Sequence, residues 1–169
     1  ALTFYYSRAA FDFANPGLPT ETFEAGNIAP GTFAYFTGPL NNSTSNALFS
    51  PGSILPGVSI FELPGPDPGD MVYVGDGTHP GVTKAILSRN FFDDSLDLNF
   101  SVNVSAVGFD YCATIGPGRI NYGSFYMSVY ALSGLLGTVF ISTPEGATVF
   151  FGVSSSTDLI TRINVDDKS

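Results

Sequence analysis

Apolar and polar residues alternate along much of the second half of the chain. Leu96, Leu98, Phe100 and Val102 are interleaved with Asp97, Asn99, Ser101 and Asn103, a period of two that sends the apolar groups to one face of a strand and the polar groups to the other. The pattern predicts a half-buried strand. The same reading predicts strands over 106–112, 125–131, 136–142, 148–153 and 159–165, separated by short turns rich in Gly, Pro and Ser. Phe125, Tyr126, Met127, Val129 and Tyr130 put apolar groups on both faces of one strand. Such a strand is covered on each side by a partner sheet, a loop or another subunit, and an antiparallel β-sandwich of jelly-roll type, all-β, accommodates it best.

One segment departs from the period of two. Ser7 is placed to cap a short helical turn through Arg8, Ala9, Ala10 and Phe11, and Pro16-Gly17 stops it. Before it, Ala1 to Tyr6 form an extended apolar segment suited to pairing with a sheet edge, of this chain or, as an exchanged strand, of another. Leu2, Phe4, Tyr5 and Tyr6 are its candidate interface residues. The first third is punctuated by Pro-Gly and Gly-Pro pairs and should be loop-rich, with short strands near 28–37, 58–63 and 71–74. Asn41 to Asn46 form a low-complexity patch that reads as an exposed loop. No shift in composition divides the chain, so residues 1–169 are expected to form one domain.

Composition sharpens this picture. Hydrophobic residues make up 44% and charged residues only 12%, about half the usual charged share, which excludes a solvated or coiled-coil chain. A net charge of -9 repels phosphate backbones and anionic lipid headgroups, so neither nucleic acid nor a membrane surface is an expected partner. No apolar stretch approaches the roughly 18 residues of a membrane-spanning helix. The chain reads as soluble and already processed at Ala1.

Candidate chemistry is sparse. Cys112 is the only cysteine and His79 the only histidine, which removes an internal disulfide and multi-histidine metal sites. Cys112 is expected inside a strand as an inert thiol. No serine lies in a nucleophile-elbow pattern beside His79. Asp67, Asp70 and Asp76 in one loop-rich stretch, and Asp93, Asp94 and Asp97 clustered at the start of a strand, supply hard oxygen ligands suited to Ca2+, although such residues also serve turns through hydrogen bonds to the backbone. Glu21, Glu24 and Asn27 with Asp166 and Asp167 form a weaker third group. Paired carboxylates also suit glycoside hydrolysis, but the four glutamates lie in no catalytic pattern, and no enzyme is expected. Tyr122, Tyr126 and Tyr130 offer flat apolar faces with hydroxyls, suited to stacking on sugars or to an interface.

Several segments together carry a family resemblance. Tyr6-Ser7-Arg8-Ala9-Ala10-Phe11, Pro16-Gly17-Leu18, Thr22-Phe23-Glu24-Ala25-Gly26, Phe49 to Gly57, Ala106-Val107-Gly108-Phe109-Asp110, and Phe150-Phe151-Gly152-Val153 through Arg162-Ile163 resemble secreted bacterial proteins that carry PEP-CTERM sorting signals. The resemblance implies an exported, cell-surface protein with a jelly-roll-like domain, often associated with exopolysaccharide. The sorting tail is not seen after Ser169, whether removed in maturation, lying outside this chain or never encoded. Two functions are expected: a self-assembling structural or adhesive subunit of a fibre or matrix, with a calcium-dependent carbohydrate-binding module of the exopolysaccharide matrix as the alternative.

Overall fold

A computed structural model of the chain describes residues 1–63, 70–78, 83–88, 95–112, 124–142, 144 and 147–166. Its elements run β1 (Leu2–Tyr5), α1 (Arg8–Ala14), β2 (Phe33–Thr37), β3 (Val58–Leu63), β4 (Asp70–Val74), β5 (Ala85–Ser88), β6 (Ser95–Val104), β7 (Ala106–Cys112), β8 (Ser124–Ala131), β9 (Gly134–Ser142), β10 (Thr148–Ser155) and β11 (Ile160–Asp166). The fold is all-β and sandwich-like, with one short helix.

All pairings within the three sheets are antiparallel, and the sheet orders are β1-β10-β7, β3-β6-β11-β8-β9 and β2-β4-β5. Strands adjacent in sequence are seldom adjacent in a sheet. β6 pairs with β11, β7 with β10 and β8 with β9, three nested pairs that alternate between the five-stranded and the first three-stranded sheet. The nesting places successive strands from β6 to β11 in different sheets, β8 and β9 excepted.

Cross-strand register explains the layering. Ile60, Leu98, Ile163 and Val129 are successive register partners across β3, β6, β11 and β8, so they share one face of the five-stranded sheet. That face is covered by two smaller sheets. The β1-β10-β7 sheet supplies Phe151 and Val153, which pack with Phe125, Met127, Val129, Ile160 and Ile163 in one buried cluster. The β2-β4-β5 sheet supplies Phe36, Met71 and Tyr73, which pack with Ile60, Leu40, Phe49 and Ile54 in another. Leu98 touches both clusters and ties them together. Each fully buried large side chain contributes roughly 1.5–3 kcal/mol relative to exposure.

The helix forms where the sequence predicts it. Ser7 has extended backbone and its hydroxyl accepts from the Ala10 amide at 3.4 Å, while the Asn15 amide closes on the Phe11 carbonyl. Only Phe11 of the helix is buried. Arg8 meets Asp110 at 2.8 Å and lies over the Phe150 ring, so α1 covers the outer face of the β1-β10-β7 sheet.

Several expectations need correction. The strand expected over 28–37 begins only at Phe33, because Pro30 lacks an amide donor and Gly31 turns the chain at φ 73°. β5 is a strand that the pattern does not announce. Cys112 ends β7 rather than lying inside it. Val102 continues the apolar face of β6 but is largely exposed, and on the polar face Asp97 is 2% exposed instead of solvated. Of the two pairings open to the N-terminal segment, the one with its own sheet is seen: Leu2 to Tyr5 run alongside Ser155 to Gly152 of β10.

Candidate functional site

The rows of the second face of the five-stranded sheet follow from register. The central row is Phe61, Asp97, Asn164, Ser128 and Thr138. One flanking row holds Ser59, Asn99, Arg162, Tyr130 and Leu135, and the other ends in Asp166, Tyr126 and Phe140. A polar centre is thus bordered by aromatic groups on the β8-β9 side.

Asp97 organises that centre. Its Oδ1 accepts from Asn164 Nδ2 at 2.7 Å, and the same amide donates to Ser95 Oγ at 2.9 Å. Arg162 Nε stands 3.1 Å from Asp97 Oδ2 but has no aligned hydrogen bond, so the contact is an ion pair held by proximity. The Arg162 guanidinium lies 4.2 Å from the Tyr130 ring centroid, where the ring quadrupole attracts it. Next along the row, Ser128 and Thr138 hydroxyls bond at 2.9 Å. Tyr126 stacks on Phe140 at 5.0 Å, and both rings are exposed.

A cleft opens at the β3 end of this sheet. Leu40 bridges Ile60 through backbone bonds in both directions, after which the chain peels away from β3. The peeled loop is tightly braced. Asn41 Oδ1 accepts from the Ser43 amide and Thr44 Oγ1 from the Asn41 amide, both at 2.9 Å, while Asn42 Nδ2 donates to the Ile54 carbonyl at 2.8 Å. Gly57, at φ 92°, makes the turn that returns the chain into β3, a conformation that favours glycine. The cleft between loop and strands has a volume of about 360 Å³ and is lined in part by Asn41, Ser43, Ser59, Asn99 and Ser101.

The acidic residues singled out in the sequence fare differently. Asp67, Asp93, Asp94 and Asp167 lie outside the described residues, as do His79 and Tyr122. Asp70 opens β4 opposite Thr37. Asp76 is exposed in the turn after β4, where its carbonyl accepts from the Gly31 amide at 2.7 Å. Asp97 has both oxygens engaged with Asn164 and Arg162. Glu21 braces a loop, its two oxygens accepting from the Phe23 and Leu55 amides at 2.7 and 2.8 Å, and Glu24 stands 3.8 Å from Lys84. Among the described residues no three His, Cys, Asp or Glu side chains come together as a metal group.

The aromatic candidates separate as well. Tyr126 and Tyr130 share the second face of the five-stranded sheet, flanking Ser128. Leu2 and Phe4 pack against the chain's own core, Tyr5 meets Phe11 edge-on at 5.4 Å, and Tyr6 is 66% exposed, its ring edge against Phe151. Sequence reading missed the Asp97–Arg162–Asn164 network and the braced cleft. The only signal for the first was Arg162 and Asn164 alternating with Ile163 and Val165. Comparison with protein-family models, curated proteins and solved structures gave no match.

Proposed function

We propose that the protein is a non-enzymatic structural or adhesive module of the bacterial cell surface that assembles with copies of itself. The observation that carries this reading is the character of β9. It is a terminal strand of the five-stranded sheet, nine residues long, and contains neither a charged residue nor a proline. Proteins usually guard such edges with lysine, proline or a covering element, because unpaired amides and carbonyls template another strand. Leu135 and Phe140 on this strand are more than half exposed. β1, the terminal strand of the facing sheet, is likewise uncharged, and Leu2 lies against Gly137 of β9. Neither strand carries a charged side chain, although the chain has a net charge of -9. Export and surface placement rest on the resemblance to PEP-CTERM proteins.

A calcium-dependent carbohydrate-binding module is the second reading, supported by the exposed Tyr126 and the Arg162-covered Tyr130 on one face of the five-stranded sheet.

Light scattering of the purified chain tests the first reading. Oligomers that grow with concentration, and that a lysine at position 135 (Leu135→Lys) returns to monomers, are expected. A wild-type chain that stays monomeric at roughly 100 µM overturns it.

A further inference from the structure

We propose that the cleft beside the 41–46 loop is a calcium-independent binding site for a neutral, hydroxyl-rich ligand: a sugar unit of an uncharged glycan. The argument begins with unused hydrogen-bonding capacity. Ser43, Ser59, Asn99 and Ser101 all line the cleft, and among the described residues none of their side chains has a hydrogen-bond partner. Asn99 Nδ2 is in addition buried. A buried donor without a partner is unfavourable by about 1–3 kcal/mol, and the soft terminal torsion of the amide lets it turn toward an oxygen placed in the cleft. Four small neutral donor-acceptor groups converging on one concavity match a ligand that presents several hydroxyls.

Charge narrows the class. No charged residue lines the cleft, which leaves a cation without a carboxylate and an anion without a counter-charge on a chain of net charge -9. The volume of about 360 Å³ lies at the low end of the roughly 300–1,000 Å³ typical of small-ligand pockets.

The loop is ordered before any ligand arrives. Thr44 Oγ1 donates to the Pro39 carbonyl at 3.1 Å, the Gly52 amide donates to the Asn42 carbonyl at 2.8 Å, and the Asn42 side chain holds Ile54. A rigid wall reduces the ordering entropy that weak polar binding must overcome. The site is independent of the proposed self-assembly: the cleft borders β3, whereas β9 is the opposite terminal strand of the same sheet.

The test is an NMR titration of the full chain, isotope-labelled, with cellotriose, maltotriose and chitobiose in the presence of EDTA. At least one sugar is expected to shift the amides of Ser59, Asn99 and Ser101 saturably, and Ser101→Val to weaken that binding about tenfold. Ser101 is exposed, so this variant keeps the fold, checked by an unchanged spectrum away from the cleft. Leu135→Lys is expected to bind as the wild type does, which separates this site from self-assembly. No saturable shift with any of the sugars at roughly 10 mM, shifts confined to another face, or binding that needs calcium would each overturn the proposal.

Discussion

Gly108 and Gly152 face each other across the β7–β10 register, and the ring of Phe11 lies over the gap between them. A Cβ on Gly152 would stand 2.6 Å from Phe11 Cδ2, and one on Gly108 would stand 3.0 Å from Phe11 Cε1. Two glycines opposite one another therefore form the seat of the helix. Tyr5 and Phe150 wall it, each with ring centroids 5.4 Å from that of Phe11.

Filling the seat should dislodge the helix. Gly152→Ala gains a little from lower backbone entropy in the unfolded chain but forces Phe11 off the sheet, for a net loss of about 1–2 kcal/mol. Urea denaturation measures it. Stability equal to the wild type would mean that Phe11 is not anchored there.

Removing Asp97 should be among the more damaging changes on the polar face of β6. Asp97→Ala leaves the Arg162 guanidinium without its counter-charge beside a buried position and strips Asn164 of an acceptor, a loss of about 3 kcal/mol. Asp97→Asn keeps an acceptor for Asn164 and should lose about half as much. The two variants compared by chemical denaturation separate charge pairing from hydrogen bonding: equal losses would remove the Asn164 hydrogen bond from the account, and an Asp97→Asn variant as stable as the wild type would remove the ion pair.

Tyr73 gives the fold an alkaline limit. Its ring is fully buried and its hydroxyl donates to the carbonyl of Phe23, a residue at φ 59°. Burial, followed by the negative charge of Glu24, pushes the Tyr73 hydroxyl up from 10.0 to about 12. The folded state holds this proton more tightly than the unfolded chain does. The associated stability is fully present below about pH 10 and is lost as pH rises toward 12. Tyr73→Phe should be less stable at neutral pH by about 1 kcal/mol and should show a shallower decline over that alkaline window. Stability curves of the two proteins that run parallel from pH 9 to 12 would contradict it.

Local pattern made some elements readable and left others hidden, for identifiable reasons. Val58 to Leu63 and Ala106 to Cys112 are rich in β-formers and bounded by turn residues, and the predicted limits are those of β3 and β7. Ala85 to Ser88 form β5 with only four residues and no alternation, too little for a period to register. The polar face of β6 carried the right period but concealed its fate: Asp97 is buried because Arg162 and Asn164 arrive from β11 by long-range pairing. The nested strand pairing is legible only as a class, since β6 skips its sequence neighbour β7 to pair with β11. Asn41 to Asn46 looked like simple polar linker because Asn and Ser suit solvent as readily as they suit backbone bracing.

That loop supplies the last prediction. Asn42 spans from the peeled segment to the carbonyl of Ile54, whose side chain is 1% exposed. Asn42→Ala leaves that carbonyl without its amide partner, a loss of about 1–2 kcal/mol, and frees the cleft wall. Ser45→Ala, at an exposed position of the same loop whose hydroxyl makes no bond among the described residues, should change stability by less than about 0.5 kcal/mol. Hydrogen exchange should quicken at Ser43 and Thr44 in the first variant only, because the Asn41 turn that protects both amides is held against the core through Asn42. Equal exchange in the two variants would show that the turn is stable by itself and that the wall of the cleft does not depend on its tether.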